Sequence, residues 1–390
     1  MTTAISATTA QDIHRYLTTH QEAMTDFLRQ LVCLETPSSV PASQAPLQHL
    51  LTTALRDLAY EVETIPGHRT GGHLLARPPA PADHPRQLLL GHSDTVWDVG
   101  TLQTMPCVIE DGKMRGPGVY DMKAGLAQMI FALRALRDLR LTPAVAPLVF
   151  VNSDEEIGSF ESGSHIARLA RQVARVLVLE PSLEPGGKLK TARKGVGDFV
   201  ITVHGRAAHA GLEPEKGISA ILEMARLIPQ LDAMNDWERG VSVNVGLLSG
   251  GVRSNVIAPI SQATVDVRIP TQADAERVTA KIRGLCPSRA GISLDIEGGI
   301  NRMPLERTPR NRQLWHLARD LGRLLGLQLE QGAAGGGSDG NITSPYTATL
   351  DGLGAVGDGA HATHEFVYLD KMVERAALLA LLILTEPPTN

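Results

Sequence analysis

Hydrophobic and polar positions follow two different periods along this chain, and together they predict alternating strands and helices. Leucines recur at helical spacing across residues 47–58, and a second helical pattern covers residues 125–139. Apolar runs at residues 88–90, 148–151 and 176–179 end abruptly in polar or charged residues, as buried strands do. Strands that alternate with helices indicate an α/β fold with a mixed, largely parallel sheet flanked by helices.

The pattern changes after residue 193, where strands outnumber helices. Strands are predicted at residues 199–203, 241–248, 263–269 and 292–296, and helices at residues 220–231 and 273–285. Two helices among four strands favour a small α+β sandwich inserted into the first fold. The Gly298-Gly299 pair and Pro304 are predicted to end this insert and to lead into a helix at residues 311–325. The predicted domains are therefore residues 1–193 with 305–390, and the inserted residues 194–304.

Composition and charge exclude several classes of protein. The 390 residues are 43% hydrophobic, which is enough apolar material for a large core. The formal net charge of −5 shows no basic excess, so nucleic acid is not expected as a partner. No apolar run approaches membrane-spanning length, and the first ten residues lack the features of a secretory signal. Cys33, Cys107 and Cys286 are widely separated and suggest no disulfide framework, so a cytoplasmic location is expected.

A histidine and a carboxylate stand two residues apart where the first apolar run ends. In an extended chain alternate side chains share a face, so His92 and Asp94 can point the same way. One would then serve as a metal ligand and the other as the group that orients it. The alternative is a turn with two solvated polar residues.

Further segments carry carboxylate or imidazole side chains, and they favour a metal site. Asp121 follows the glycine-rich turn Gly116-Pro117-Gly118, and the strands at residues 148–151 and 176–179 lead to carboxylates. A histidine lies in a loop near the C-terminus. The carboxylates and this histidine are Asp154, Glu155, Glu156, Glu180 and His361. Parallel strands that end in such groups describe one crevice, the place where open α/β sheets bind ligands.

The order of these segments makes the chain resemble a family of metal-dependent peptidases and deacylases. That family includes glutamate carboxypeptidases, aminoacylases, acetylornithine deacetylase and succinyl-diaminopimelate desuccinylase, and the resemblance extends from roughly residue 20 to residue 385. The Gly-Pro-Gly turn, the run at residues 154–159 and the loop at residues 335–339 are most similar to glutamate carboxypeptidases. The resemblance implies a catalytic domain with an inserted lid or dimerisation domain.

The resemblance also implies a ligand set for two zinc ions, with Co²⁺ or Mn²⁺ as substitutes. Asp121 matches the carboxylate that bridges the two ions, with a cis peptide bond to Met122. His92 and Glu180 match the ligands of one ion, and Glu156 and His361 match those of the other. Two neighbours remain as alternatives. Asp154 is expected to lie outside the ligand set, and His364 could replace His361.

Glu155 matches the general base of the family. It would take a proton from a water held between the ions and later pass that proton to the departing amine. Adjacent carboxylates in an extended chain point in opposite directions, so a turn is needed if Glu156 is to ligate while Glu155 faces the substrate. Gly158 is expected to permit that turn. Asp94 is expected to hold His92 in the ligating tautomer.

The insert carries residues that resemble a second part of the family's site. His209 matches a histidine that reaches the active site of the partner subunit and polarises the scissile carbonyl, which implies a homodimer. Asn255 matches an asparagine that contacts substrate. Arg268 matches an arginine that binds a substrate carboxylate, since a guanidinium is a planar, two-pronged donor. Gly336 and Gly337 can add backbone donors near that carboxylate.

These residues predict a hydrolase that cleaves the amide bond of peptidyl or N-acyl amino acids, with C-terminal glutamate favoured by the resemblance to glutamate carboxypeptidases. A deacylase of N-acetyl or N-succinyl amino acids is the alternative within the same class. A non-catalytic protein that binds metal or peptide is the alternative from another class. The complete ligand set and Glu155 argue against the last, because function depends on the site rather than on the fold.

Overall fold

The computed structural model describes residues 5–81 and 84–387. Its α-helices have the following bounds: α1 Ala7–Thr19, α2 Gln21–Val32, α3 Gln44–Asp57, α4 Ala124–Asp138, α5 Gly163–Ala170, α6 Ala220–Asp232, α7 Gln272–Arg283, α8 Pro309–Leu324, α9 Asp339–Thr343 and α10 Leu369–Leu384. None of these helices is both long and apolar enough to cross a membrane.

The described residues also form sixteen β-strands. Their bounds are β1 Glu61–Ile65, β2 His73–Arg77, β3 Arg86–His92, β4 Val108–Glu110, β5 Lys113–Arg115, β6 Ala146–Asn152, β7 Arg175–Val178, β8 Leu189–Arg193, β9 Gly195–His204, β10 Ser242–Gly250, β11 Ile260–Ile269, β12 Ser293–Arg302, β13 Gln331–Ala334, β14 Ala348–Leu350, β15 Gly357–Asp358 and β16 Phe366–Tyr368.

The chain divides into two compact units. The first contains Met1–Thr191, Arg307–Ala333 and Ser338–Asn390, and the second contains Ala192–Glu306 and Ala334–Gly337. The boundaries predicted from the sequence assign residues 334–337 to the first unit, whereas they lie in the second. Hydrogen bonds explain this, because the backbone N–H of Lys194 donates to the carbonyl of Ala334, 3.1 Å away.

The first unit is built on a six-stranded sheet in the order β1-β2-β6-β3-β7-β14. The four strands β6, β3, β7 and β14 pair in parallel, whereas β1 and β2 are antiparallel. Residues 88–90 of β3 are completely buried, as an apolar run covered on both faces should be. The predicted α/β class, with a mixed and largely parallel sheet, is confirmed.

The topology brings the ends of three parallel strands to one edge of this sheet. β3 ends at His92, which pairs with Asn152 at the end of β6, and β7 pairs with β3 up to Val178. The segments that follow β3, β6 and β7 therefore begin side by side. These are the segments that carry the candidate ligands at residues 92, 156 and 180.

A close approach between α4 and the end of β7 brings the Asp121 segment to the same edge. α4 starts three residues after Asp121 and is buried along most of its length. A Cβ atom at Gly125 would lie only 2.2 Å from the carbonyl oxygen of Leu179. Only glycine allows this contact, which fixes α4 beside the residue that precedes Glu180.

The second unit is an antiparallel sheet in the order β10-β11-β9-β12, with α6 and α7 packed on it. Side chains of β9 alternate between buried and partly exposed, and Phe199 packs in the same core as Met224 of α6 and Val278 of α7. This arrangement is the α+β layer predicted for the insert.

One predicted strand end in the second unit is wrong. β12 does not stop before the Gly298-Gly299 pair but continues through it to Arg302. Gly298 has a φ of +84°, and a Cβ atom there would lie 2.1 Å from the carbonyl oxygen of Asp198 on β9. The glycine therefore allows close pairing within the sheet, instead of ending the strand.

Candidate metal centre

His92 lies at the end of β3 and is almost completely buried. Its Nε2 lies 3.2 Å from Oδ1 of Asp121 and 3.5 Å from Oε1 of Glu180. Burial by itself lowers the pKa of His92, but contacts with the carboxylates of Asp121, Asp94 and Glu180 raise that pKa well above its usual value. His92, Asp121 and Glu180 form the first group of candidate ligands.

The second group contains Asp121, Glu156 and His361. Nε2 of His361 lies 3.2 Å from Oε2 of Glu156 and 3.6 Å from Oδ2 of Asp121. These two contacts raise the pKa of His361 to about 10. Burial raises the pKa of Glu156 to about 7, and the charge of Asp121 adds to this effect. Glu156 and His361 therefore hold protons more readily than usual, and a bound cation would compete with those protons.

Asp121 belongs to both groups, and its two oxygens face different partners. Oδ1 is directed to His92, whereas Oδ2 is directed to His361. Burial alone would raise the pKa of Asp121, but hydrogen bonds from His361 and His92 lower it well below the usual range. The peptide bond from Asp121 to Met122 is cis, as the family resemblance implies.

The donor set fits divalent cations such as zinc. Three carboxylates and two imidazoles converge, and within each group one ligand atom per residue lies within 4.8 Å of the others. Imidazole nitrogens and carboxylate oxygens are common zinc ligands. Oε1 of Glu156 is buried and has no hydrogen-bond partner among the described residues. Such an atom is costly in a protein interior, and a bound cation would satisfy it.

The carboxylate of Asp94 fixes the segment that contains Glu155 and Glu156. Its Oδ1 accepts the N–H of Glu155 at 3.3 Å, and its Oδ2 accepts the N–H of Glu156 at 3.1 Å and the hydroxyl of Ser38 at 2.6 Å. The atom of Asp94 nearest to Nδ1 of His92 is the main-chain carbonyl oxygen, at 3.0 Å, and the carboxylate is 3.4 Å away. Asp94 therefore contacts His92 through both its backbone and its side chain.

The turn that the Glu155-Glu156 pair needs is present. The N–H of Gly158 donates to the carbonyl of Glu155, and the N–H of Ser159 donates to the carbonyl of Asp154. Gly158 has a φ of +106°, a conformation that favours glycine. The chain therefore reverses direction directly after the adjacent carboxylates.

Neither alternative residue joins the two ligand groups found among the described residues. Asp154 is buried, and its Oδ2 accepts the N–H groups of Glu161 and Ser162. It therefore anchors the loop that follows the glutamates. His364 is exposed, and its side chain lies beside Gly359.

Two buried carboxylates that support the centre were not predicted from the sequence. Glu365 accepts N–H groups from the turn that carries Asp121. Asp339 accepts hydrogen bonds from Asn152 at the end of β6 and from Ser159 in the loop after Glu156. Their partners are more than 150 positions away along the chain. Spacing carries no signal for such contacts.

The remaining candidate residues lie in the second unit. His209 is exposed, and its Nδ1 accepts the N–H groups of Gly211 and Leu212, which leaves the proton of the neutral ring on Nε2. The carbonyl of Asn255 accepts the N–H of Ala210. The His209 and Asn255 segments are thus joined within this unit.

Arg268 is already engaged by a neighbour on its own strand. Its Nε and Nη2 donate to the two carboxylate oxygens of Asp266 at 2.9 and 2.8 Å. The glycine loop has a different anchor, because Nη1 of Arg193 donates to the carbonyl oxygens of Gly336 and Gly337. A Cβ atom at Gly335 or Gly336 would meet nothing within 4 Å. Contacts within the chain therefore do not require glycine at those two positions.

Comparisons with known proteins identify the family. Residues 88–385 match peptidase family M20/M25/M40. Carboxypeptidase G2 of Pseudomonas sp. (strain RS-16) is 26% identical over 385 residues, which cover 94% of this chain and 90% of that protein. Acetylornithine deacetylase of Proteus mirabilis (strain HI4320) is 28% identical over 263 residues, which cover 62% of this chain and 66% of that protein.

A solved structure shows the same fold. It is that of YxeP of Bacillus subtilis, described as a dinuclear metal-binding peptidase of the M20 family. The TM-score is 0.70 at 15% sequence identity, and the match covers 94% of this chain and 98% of that one. The predicted resemblance is confirmed, since the family match spans most of the chain and all five candidate ligands. This protein therefore belongs to peptidase family M20/M25/M40, and it is a hydrolase of the peptidase and deacylase class.

Proposed function

We propose that this protein is a dinuclear metallohydrolase that cleaves the amide bond of peptidyl or N-acyl amino acids carrying a free α-carboxylate. The observation that carries the proposal is the position of Asp121, whose two oxygens face two separate ligand groups. An anion shared in this way offsets the repulsion between two neighbouring cations.

In this proposal Asp121 would contact both ions. His92 and Glu180 would hold one of them, and Glu156 and His361 the other. Zn²⁺ suits these ligands, and Co²⁺ or Mn²⁺ can replace it. The description of YxeP as a dinuclear metal-binding peptidase supports a pair of ions. When bound, such ions lower the pKa of water and polarise the scissile carbonyl.

Glu155 is the proposed general base. It directly precedes the proposed ligand Glu156, and the carboxylate of Asp94 accepts the backbone N–H groups of both glutamates. The backbone of Glu155 is therefore fixed relative to that ligand. Its carboxylate would take a proton from the attacking water and return it to the departing amine. Asp94 supports both steps because it holds this turn and contacts His92.

The second unit is proposed to supply the substrate contacts. Nε2–H of His209 is suited to donate to the scissile carbonyl, and Asn255 would contact the substrate beside it. Arg268 would bind the free α-carboxylate in exchange for part of its ion pair with Asp266. Gly336 and Gly337 would add backbone donors. The relative named carboxypeptidase G2 supports a carboxypeptidase that favours C-terminal glutamate.

We further propose that the active form is a homodimer in which His209 acts in the partner subunit. β10 lies at the edge of its sheet and exposes Leu247 and Leu248, and α6 exposes Ile221 and Leu222. An exposed sheet edge with apolar side chains is a common site of pairing with another chain. A second copy of this chain would cover these residues.

A cytoplasmic location is also proposed. Cys33, Cys107 and Cys286 are all free thiols, which fits a reducing compartment. Deacylation of acyl amino acids is a second candidate activity, since one relative is named acetylornithine deacetylase.

A substrate panel tests the proposal. The metal-loaded protein is incubated with peptidyl glutamates, N-acetyl and N-succinyl amino acids, and the same compounds amidated at the α-carboxylate, and products are identified by mass spectrometry. We expect release of amino acids with a free α-carboxylate only, and no release after chelation. Hydrolysis that instead requires a free α-amino group would contradict the proposal and would indicate an aminopeptidase.

A further inference from the structure

The side chain of Glu365 is completely buried and accepts four hydrogen bonds. Its Oε1 accepts the backbone N–H groups of Tyr120 at 2.8 Å and Asp121 at 3.0 Å. Its Oε2 accepts the backbone N–H of Gly118 at 3.0 Å and the indole Nε1–H of Trp97 at 2.9 Å. Both oxygens are therefore occupied by donors from other parts of the chain.

These bonds connect the three segments that carry His92, Asp121 and His361. Trp97 lies in the loop that follows His92 and Asp94, and Gly118 begins the turn that ends at Asp121. Glu365 itself follows His361, and its own N–H donates to the carbonyl of Ala362. One carboxylate thus fixes the relative positions of three segments that are far apart in sequence.

The bond to the N–H of Asp121 acts directly on the shared ligand. Glu365 holds the backbone N–H groups of both Asp121 and the preceding residue, Tyr120. Because its backbone is held in this way, the Asp121 side chain has little freedom beyond its own rotamers. Among the described residues, Glu365 belongs to neither ligand group. It would therefore act on the centre as a neighbour of the ligands rather than as a ligand.

We infer that Glu365 is a positioning residue that presets Asp121 to bind both ions of the proposed centre. This inference rests on the proposed function. Partners behind a metal ligand typically change metal affinity by about 10- to 100-fold when they are removed. Because Asp121 faces both ligand groups, loss of Glu365 should weaken both ions, in contrast to loss of Glu180 or His361.

The test measures metal affinity rather than turnover. The Glu365→Gln variant keeps the size of the side chain, but its amide nitrogen would face two N–H donors. Metal-free wild type and variant are titrated with Zn²⁺ in competition with a chromogenic chelator, after circular dichroism has verified that both are folded. We expect both Zn²⁺ affinities of the variant to fall by about 10- to 100-fold.

A matched control separates metal positioning from loop stability. Glu161 also uses its carboxylate to hold a loop, since it accepts the N–H groups of His68 and Arg69 and the hydroxyl of Thr70. That loop contains none of the candidate ligands. Glu161→Gln should therefore keep wild-type Zn²⁺ affinity.

If Glu365→Gln does not fold, Glu365→Asp is measured in its place. It keeps the charge but is one methylene too short to reach all four donors, so a smaller loss at both ions is expected. Wild-type affinity in the folded variant, or an equal loss in Glu161→Gln, would overturn the inference. If wild-type protein binds no pair of ions, the proposed function fails instead, so the two failures are distinguishable.

Discussion

Oδ1 of Asp121 lies 3.2 Å from Nε2 of His92. His92 is buried and Asp121 is largely buried, and each shifts the pKa of the other toward its charged form. The raised pKa of His92 therefore favours a proton on a nitrogen that would otherwise bind a divalent ion. Metal binding and protonation should compete at this centre, because metal ligands must lose their protons.

The stability of the metal-free protein should fall as the pH rises from about 5 to about 10. The pKa of Glu156 is raised from 4.5 to about 7, and that of His361 from 6.5 to about 10. A raised pKa contributes stability that is present below the unfolded value and lost as the pH rises through the folded value. Asp121, whose pKa is lowered, contributes stability throughout this range, and that contribution is lost only in acid, as the pH falls below the usual value of 3.8. Thermal unfolding of chelator-treated protein across this range measures the effect.

Saturating Zn²⁺ supplies the control for this pH dependence. Bound ions displace the protons of Glu156 and His361, so the Zn²⁺-loaded protein should lose less stability over the same pH range. For the same reason, the affinity for Zn²⁺ should rise with pH. Because His361 is half exposed, its part of the effect is reduced by solvent. Identical pH profiles with and without Zn²⁺ would contradict this prediction.

Replacing Glu155 by glutamine should separate catalysis from metal binding. The Glu155→Gln variant keeps its backbone bond to Asp94 but loses the proposed proton acceptor, so kcat should fall by roughly 10²- to 10⁴-fold with ion content unchanged. Glu156→Gln is the matched control, and it should lose affinity for one ion. Wild-type turnover in Glu155→Gln would assign the base to another residue.

The sequence indicated candidate ligands because each stands at a strand end or in a glycine-rich loop, and the resemblance to a known family selected the five from their neighbours. The end of β3 at His92 and the start of α4 after Asp121 both followed from hydrophobic periodicity. Glu365 and Asp339 were not predicted, because their partners are brought close only by the folded sheet. The end of β12 was predicted wrongly, since a glycine that permits close strand pairing looks the same in sequence as one that ends a strand.

Arg268 should matter only for substrates with a free α-carboxylate. Loss of a charged hydrogen bond costs about 1.5–3 kcal/mol, so Arg268→Ala should lower kcat/KM roughly ten- to hundredfold on the free acid and little on the amidated substrate. Arg277 is the matched control, since it pairs with Asp274 at the same side-chain exposure of 35%. Arg277→Ala should leave kcat/KM unchanged. Equal losses on both substrates would make Arg268 a structural residue.

Mixing two inactive variants should restore activity if His209 acts in the partner subunit. His209→Ala keeps every candidate ligand and Glu155, whereas Glu155→Gln keeps His209. Random exchange of subunits gives half heterodimers, each with one complete site, so roughly a quarter of wild-type activity is expected. Mass spectrometry of isotope-labelled chains verifies the exchange. No recovery despite exchange would place His209 in its own subunit's site or outside catalysis.

The stoichiometry of bound zinc tests the shared role of Asp121 most directly. Wild type and three variants are dialysed against Zn²⁺ and analysed for metal and protein content. We predict two ions per chain in wild type, one in Glu180→Gln and in His361→Ala, and loss of both tightly bound ions in Asp121→Asn. A single ion in wild type, or two ions retained by Asp121→Asn, would contradict this prediction.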